Sequence, residues 1–121
     1  MNAAYATLDG PLTAIVRDVP DTLTPLTASG PAGRALLAFA SADAATAHLA
    51  TLPPELGASH RTWTAEADDW RAKEELLRAA ASLGALRLEL DPDLELRPAA
   101  QLPLDRAIAY VTSYKRNRAC L

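Results

Sequence analysis

The sequence predicts a small α+β domain: a two-layer sandwich of about four short strands with helices mainly on one face of the sheet. Its 121 residues fit a single domain, residues 1–121, and half of them are hydrophobic, as a folded core requires. Apolar residues recur with helical spacing in some segments and alternate or run unbroken in others. The 27 alanines and 20 leucines predict closely packed elements, because small side chains let them approach.

The first part of the chain predicts a helix followed by a long loop. Asp9 and Pro11 begin a pattern of apolar residues at helical spacing, which predicts a helix over residues 9–19 that Pro20 stops. Its apolar positions are Leu12, Ile15, Val16 and Val19. Residues 20–33 contain three prolines and two glycines, so we expect a loop with at most one short extended piece.

A strand and a helix follow each other directly. Residues 35–40 form an unbroken apolar run, which is typical of a central strand buried on both faces. Ser41 is a favourable cap for a helix over residues 42–52, which Pro53 and Pro54 end.

The middle of the chain predicts a short strand and the clearest helix. The β-branched and aromatic side chains of residues 60–64 favour a strand. Residues 65–83 place their larger apolar side chains on one arc and their charges opposite, which predicts an amphipathic helix. Gly84 stands where a left-handed C-terminal cap is favoured.

A hairpin and a last helix complete the predicted order αβαβαββα. Residues 86–90 and 94–97 alternate apolar and charged side chains around a turn at residues 91–93, so we expect an antiparallel pair. Residues 105–116 combine helical spacing with strong strand propensity; a helix is favoured and a strand stays the alternative. The end of the chain, residues 115–121, is a basic tail.

Three features of the sequence bear on the cellular compartment in which the protein is expected. The longest apolar run has six residues, far short of the roughly 20 that span a bilayer. The first nine residues lack the basic and apolar regions of a signal peptide, and we expect a cytoplasmic protein. The one cysteine, Cys120, has no partner for an internal disulfide.

No motif for catalysis, cofactor or metal stands out. The glycines of residues 30–34 precede a predicted strand, whereas a phosphate loop lies between a strand and a helix. His48 and His60 have no second ligand at metal spacing, and no serine stands in a nucleophile elbow. We therefore predict no cofactor, no metal site and no catalytic residue, and expect a protein that is not an enzyme.

Two segments resemble a known family. They are Leu-Leu-Ala-Phe-Ala-Ser over residues 36–41, followed by a helix, and Gly-Ala-Leu-Arg-Leu-Glu-Leu-Asp-Pro over residues 84–92. Across residues 34–100 the chain resembles the amino-terminal domain of the SseB-like family of small bacterial proteins; a lineage-restricted bacterial family is the alternative placement. The first 30 residues have no counterpart there. The resemblance implies a non-catalytic α+β module used in protein–protein contacts, with no catalytic residues to carry over.

The leading functional expectation is a protein-interaction module that binds a partner or forms a homodimer. Its expected contact residues are Trp63, Tyr110 and Tyr114, because Trp and Tyr are common anchors of interfaces. The alternative is nucleic-acid binding through a cluster of basic residues beside those tyrosines: Lys115, Arg116 and Arg118. The net charge of -3 argues against a dedicated nucleic-acid domain. A ligand pocket assembled from residues distant in sequence also stays open.

Overall fold

The structure, a computed structural model, describes residues 3–93, 95 and 97–119, without the side chains of residues 3 and 115–119. It confirms the α+β class, with five helices and a six-stranded sheet among these residues. The helices are α1 (Ala3–Asp9), α2 (Ala42–Leu49), α3 (Pro54–Ser59), α4 (Trp70–Ser82) and α5 (Leu104–Ala119). The strands are β1 (Leu12–Arg17), β2 (Thr27–Gly30), β3 (Gly33–Phe39), β4 (His60–Ala65), β5 (Ala85–Leu90) and β6 (Ala100–Pro103).

The strands form one mixed sheet in the order β4-β1-β3-β5-β6, and β2 also pairs with β3. β3 and β5 are parallel, and the other pairs are antiparallel. Residues 35–39 of β3 are all buried, which confirms the predicted central strand. The long crossover from β3 to β5 carries α2, α3, β4 and α4.

Helices cover both faces of the sheet. Successive side chains of a strand point to opposite faces, so Leu12 and Ala14 of β1 pack in the main core with α1, α4 and α5. Ile15 points the other way and packs with Phe39 and with Ala45 of α2. The larger helical layer is therefore α1, α4 and α5, and α2 adds a partial layer against β1, β3 and β4 on the opposite face.

The predicted helix over residues 9–19 is wrong. Residues 12–17 are β1, and the first helix comes earlier, at Ala3–Asp9. Residues 12–16 are all buried, because helices cover both faces of the sheet. A strand buried on both faces is apolar at consecutive positions and loses its alternation, so its apolar residues also match helical spacing.

The predicted hairpin is right in kind and wrong in its second strand. β5 pairs antiparallel with residues 100–103, not with residues 94–97, of which 94 and 96 lie outside the described residues. The Asp93 carboxylate accepts hydrogen bonds from the backbone N–H groups of Glu95 and Arg97 at 2.9 Å. These bonds hold the charged residues in a loop and move the returning strand further along the chain.

Of the two proline-rich segments, one agrees with its prediction and the other contains a helix that was not predicted. β2 is the one short extended piece expected within the loop of residues 20–33, and it leads into β3 through Gly33, whose φ of 103° favours glycine. Pro54 ends the helical pattern before it and begins α3, where a proline loses no helical hydrogen bond. The order along the described chain is therefore αβββααβαββα rather than αβαβαββα.

The remaining helices confirm their predictions with changed bounds. α2 covers residues 42–49 of the predicted 42–52, and the Ser41 hydroxyl accepts bonds from the N–H groups of residues 43 and 44. α4 begins at Trp70 rather than at residue 65, because the Asp69 carboxylate caps it. The last segment is a helix, α5, as favoured.

Candidate functional site

The three tyrosines of the sequence meet in one groove between α1 and α5. The ring of Tyr110 lies 4.8 Å from the ring of Tyr5 and 4.8 Å from that of Tyr114, measured between centroids. The ring planes are inclined by 45° and 55°. The groove has a volume of about 570 Å³, and Arg106, Ala109 and Ser113 complete its lining. Below, "aromatic groove" means this cavity and these six residues.

Helix geometry explains why the tyrosines of α5 share one surface. Tyr110 and Tyr114 are four residues apart, so they lie one above the other on the same side of the helix. Trp70, at the start of α4, stacks on Tyr114 with a centroid distance of 4.6 Å and an angle of 12°. Trp70 is 6% exposed and Tyr114 is 39% exposed. Trp70 is therefore the floor beneath the rings, and Tyr114 presents its ring to solvent.

Lys73 lies beneath the groove and joins α1 to α4. Its side chain is 0% exposed, and its ammonium donates hydrogen bonds to the carbonyls of Leu8 at 2.8 Å and Ala67 at 2.7 Å. The ammonium also lies 4.0 Å from the centroid of the Trp70 ring. Leu8 belongs to the last turn of α1, where carbonyls lack a helical partner and attract a cation. Lys73 therefore fixes α1, and Tyr5 with it, against α4.

Burial lowers the pKa of Lys73, because the charged form loses water. The nearby carboxylates of Asp9, Asp68 and Asp69 oppose that shift. Two carbonyls and an aromatic face surround the ammonium, so the charge is compensated where it lies.

The hydroxyl of Tyr110 is also fixed. It donates a hydrogen bond of 2.6 Å to a carboxylate oxygen of Asp9 at the end of α1. Burial, and then the hydrogen bond to Asp9, raise the pKa of Tyr110 far above its usual range. The phenol stays protonated at ordinary pH, so it serves as a fixed donor between α5 and α1.

The rim of the aromatic groove carries the cation of Arg106. Arg106 is exposed, and its guanidinium has no ion pair or hydrogen bond with any side chain or carbonyl in the described part of the chain. Ala109 and Ser113 are exposed small residues on the same side of α5. The groove thus combines tyrosine side chains with an exposed arginine, and both residue types are enriched in binding hot spots.

The structure brings together two of the three expected contact residues. Tyr110 and Tyr114 line the aromatic groove, whereas Trp63 lies on β4 opposite Ala14, half-buried against the main core. No ring contact joins Trp63 to the tyrosines among the residues described. The basic residues of the alternative prediction have side chains outside the described residues: Lys115, Arg116 and Arg118.

Sequence reasoning missed Tyr5, Lys73 and Arg106. Tyr5 stands on a helix that the sequence pattern placed further along the chain. Lys73 did have a signal: arginine outnumbers lysine ten to two, so a lysine in the middle of a helix is unusual for this sequence. A compact ammonium can direct its protons at two carbonyls, which the larger planar guanidinium fits poorly.

The rest of the described chain presents no metal-binding group and no membrane span. Within those residues, histidine, cysteine and carboxylate side chains do not gather in sets of three or more that could hold a metal ion. Among the helices described there, none has the length and apolar character needed to cross a bilayer. No protein-family model matches the chain, and no curated protein matches its sequence.

Proposed function

We propose that the chain is a non-catalytic protein-interaction module and that the aromatic groove is its contact surface. One observation carries the proposal: four of the six aromatic residues in the sequence gather in or directly beneath one surface groove. The core elsewhere is built mainly of leucine and alanine; Tyr5 and Tyr110 pack at its edge, and Tyr114 is 39% exposed. Tyrosine and arginine provide large contact areas and directed hydrogen bonds in interfaces.

The state of the titratable groups supports binding over proton transfer. The Tyr110 hydroxyl donates a hydrogen bond to the Asp9 carboxylate, and the Lys73 ammonium is bonded to two carbonyls beneath the groove. The remaining groups at the surface are tyrosine rings, small side chains and the Arg106 cation. A general acid or base must present its proton or lone pair to a ligand, whereas the Tyr110 hydroxyl and the Lys73 ammonium are directed at Asp9 and at two backbone carbonyls.

The resemblance to SseB-like domains implies the same kind of role, protein–protein contact. It covers residues 34–100, whereas the groove is formed by residues 5 and 106–114. The position of the contact surface therefore rests on the structure, and the resemblance supports only the class of function. A second copy of the chain is one partner that this proposal includes.

The test compares three baits in affinity capture from cells that make the protein. Ala109→Gln fills the groove from an exposed position of α5, and Ala47→Gln makes the same change at an exposed position of α2, on the opposite face of the sheet. We expect the wild type and Ala47→Gln to retain the same partner, identified by mass spectrometry, and Ala109→Gln to lose it. Sedimentation velocity of the three proteins applies the same comparison to a homodimer.

Two results would contradict the proposal. In the first, all three baits retain the same proteins and have the same oligomeric state. In the second, the protein retains single-stranded oligonucleotide with a steep salt dependence, and deletion of residues 115–121 abolishes that retention. The second result would establish the nucleic-acid alternative.

A further inference from the structure

We propose that the aromatic groove binds a proline-rich segment in the polyproline II conformation, with acidic residues beside the prolines. This inference rests on the proposed function and names the chemistry of the partner. It follows from three properties of the groove: the helices that line it, the inclination of its tyrosine rings and the positive charge of Arg106 on its rim.

The groove offers no sheet edge to a bound chain. Its lining residues lie on α1 and α5, and the backbone groups of helices are largely paired within the helix. A segment bound here cannot obtain backbone hydrogen bonds by adding a strand. A polyproline II segment needs none, because it has no internal hydrogen bonds and its prolines have no N–H to satisfy.

The rings form ridges rather than a flat plate. The rings of Tyr5 and Tyr110 and those of Tyr110 and Tyr114 are in contact at 4.8 Å and inclined by 45° and 55°, so the three do not share one plane. Proline rings dock against aromatic side chains of this kind, and little conformational freedom is lost because the segment is already extended. From Arg106 to Tyr114 the helix rises about 12 Å, which about four polyproline II residues match.

Charge determines what accompanies the prolines. Arg106 lies on the rim of the groove without an ion pair in the part of the chain that the structure describes. A carboxylate placed beside Arg106 is attracted by the guanidinium, whereas a lysine at that position is repelled.

The test measures binding by fluorescence anisotropy with three labelled probes and the full chain. The main probe is a hexaproline peptide with glutamates at each end; the second replaces the glutamates by lysines, and the third replaces the prolines by glycine and serine. We expect saturable binding of the glutamate–proline probe, about fivefold weaker binding of the lysine–proline probe, and no saturation with the glycine–serine probe.

Two pairs of variants locate the binding. Ala109→Gln should raise the Kd of the glutamate–proline probe at least tenfold, and Ala47→Gln should leave that Kd within about twofold of the wild-type value. Arg106→Gln should narrow the preference for glutamate over lysine by about threefold, whereas Arg17→Gln, an exposed arginine at the end of β1, should not change it. Circular dichroism checks that each variant is folded.

The outcomes separate this inference from the proposed function. If no proline probe binds at millimolar protein, or if the glycine–serine probe binds equally well, the ligand class is wrong. The proposed function still stands in that case if Ala109→Gln loses its captured partner. If the proline probe binds wild type and Ala109→Gln equally, the segment binds elsewhere and the inference is overturned. If neither the probes nor the baits respond to Ala109→Gln, both proposals fall.

Discussion

The two helical layers of this protein each bury a polar side chain, and the two side chains differ in their hydrogen bonds. On the α1, α4 and α5 side, Lys73 is fully buried and its ammonium is bonded to two carbonyls above a tryptophan ring. On the α2 side, His48 is 5% exposed, its ring lies 5.5 Å from that of Phe39, and its Nδ1 has no hydrogen-bond partner among the described residues. Both groups lose water, and within the part of the chain that the structure describes Lys73 regains hydrogen-bond partners whereas the His48 Nδ1 does not.

This difference connects stability with the proposed site. The bonds of Lys73 join α1 to α4 and so determine where Tyr5 and Asp9 meet Tyr110. The His48 ring contacts Phe39, but its Nδ1 makes no hydrogen bond to the described residues, and a charge on this buried ring destabilises the fold. The layer with the satisfied polar group carries the aromatic groove, and the layer with the unsatisfied one does not.

Removal of the Lys73 charge should have the largest effect. Lys73→Met keeps most of the side-chain volume and removes the donor from the buried carbonyl of Leu8 and the partly buried carbonyl of Ala67, so the free energy of unfolding should fall by about 3 kcal/mol. Urea unfolding, read as a shift of the midpoint at constant m value, measures this. Arg71→Gln changes an exposed charge on the same helix and is expected within about 0.5 kcal/mol of wild type. If Lys73→Met lowered the free energy of unfolding as little as Arg71→Gln does, Lys73 would not stabilise the contact between α1 and α4.

The pH dependence of stability should reveal His48. Burial lowers the pKa of His48 below 6.5, so the unfolded chain takes up the proton first as the pH falls. Stability from this group is therefore complete above pH 6.5 and is lost below it, by at most about 1.4 kcal/mol between pH 7 and 5.5. Unfolding curves at both pH values measure the loss, and His48→Leu should abolish it while His60→Gln should not. Identical slopes in wild type and His48→Leu would show that the ring titrates as it does in water.

A smaller effect is expected from the hydroxyl between α5 and α1. Tyr110→Phe removes the donor to Asp9 and keeps the ring, so stability should fall by about 1 kcal/mol. The ring contacts remain, and binding of the proline probe should change less than in Ala109→Gln. Thermal unfolding of Tyr110→Phe and of the Asp9→Asn variant gives the two values to compare. A larger loss in binding than in stability would mean that the hydroxyl itself contacts the ligand.

The sequence predicted those parts of the fold in which local pattern and tertiary environment agree. Residues 35–40 and the helix after Ser41 have the apolar run and the cap that their environments require. β1 was mistaken for a helix because burial on both faces removes its alternation. β6 was placed too early because the hydrogen bonds of Asp93 extend the loop, which hydrophobic pattern alone does not encode.

The candidate site was predictable only in part, for a related reason. Tyr110 and Tyr114 are four residues apart, so their shared surface follows from the sequence once the segment is helical. Tyr5 lies more than 100 residues before Tyr110 in the sequence. Their ring contact depends on the hydrogen bonds that Lys73 donates to the carbonyl of Leu8 in α1 and to the carbonyl of residue 67, before α4. Contacts of that kind leave no periodic signal.

The most direct test of the central claim is a two-dimensional ¹H–¹⁵N NMR titration with the glutamate–proline probe. If the aromatic groove is the contact surface, the shifted amides will cluster in residues 5–9 and 105–114, while α2 and β4 remain unchanged. Shifts concentrated on α2 and β4, or no shifts at millimolar probe, would contradict the account.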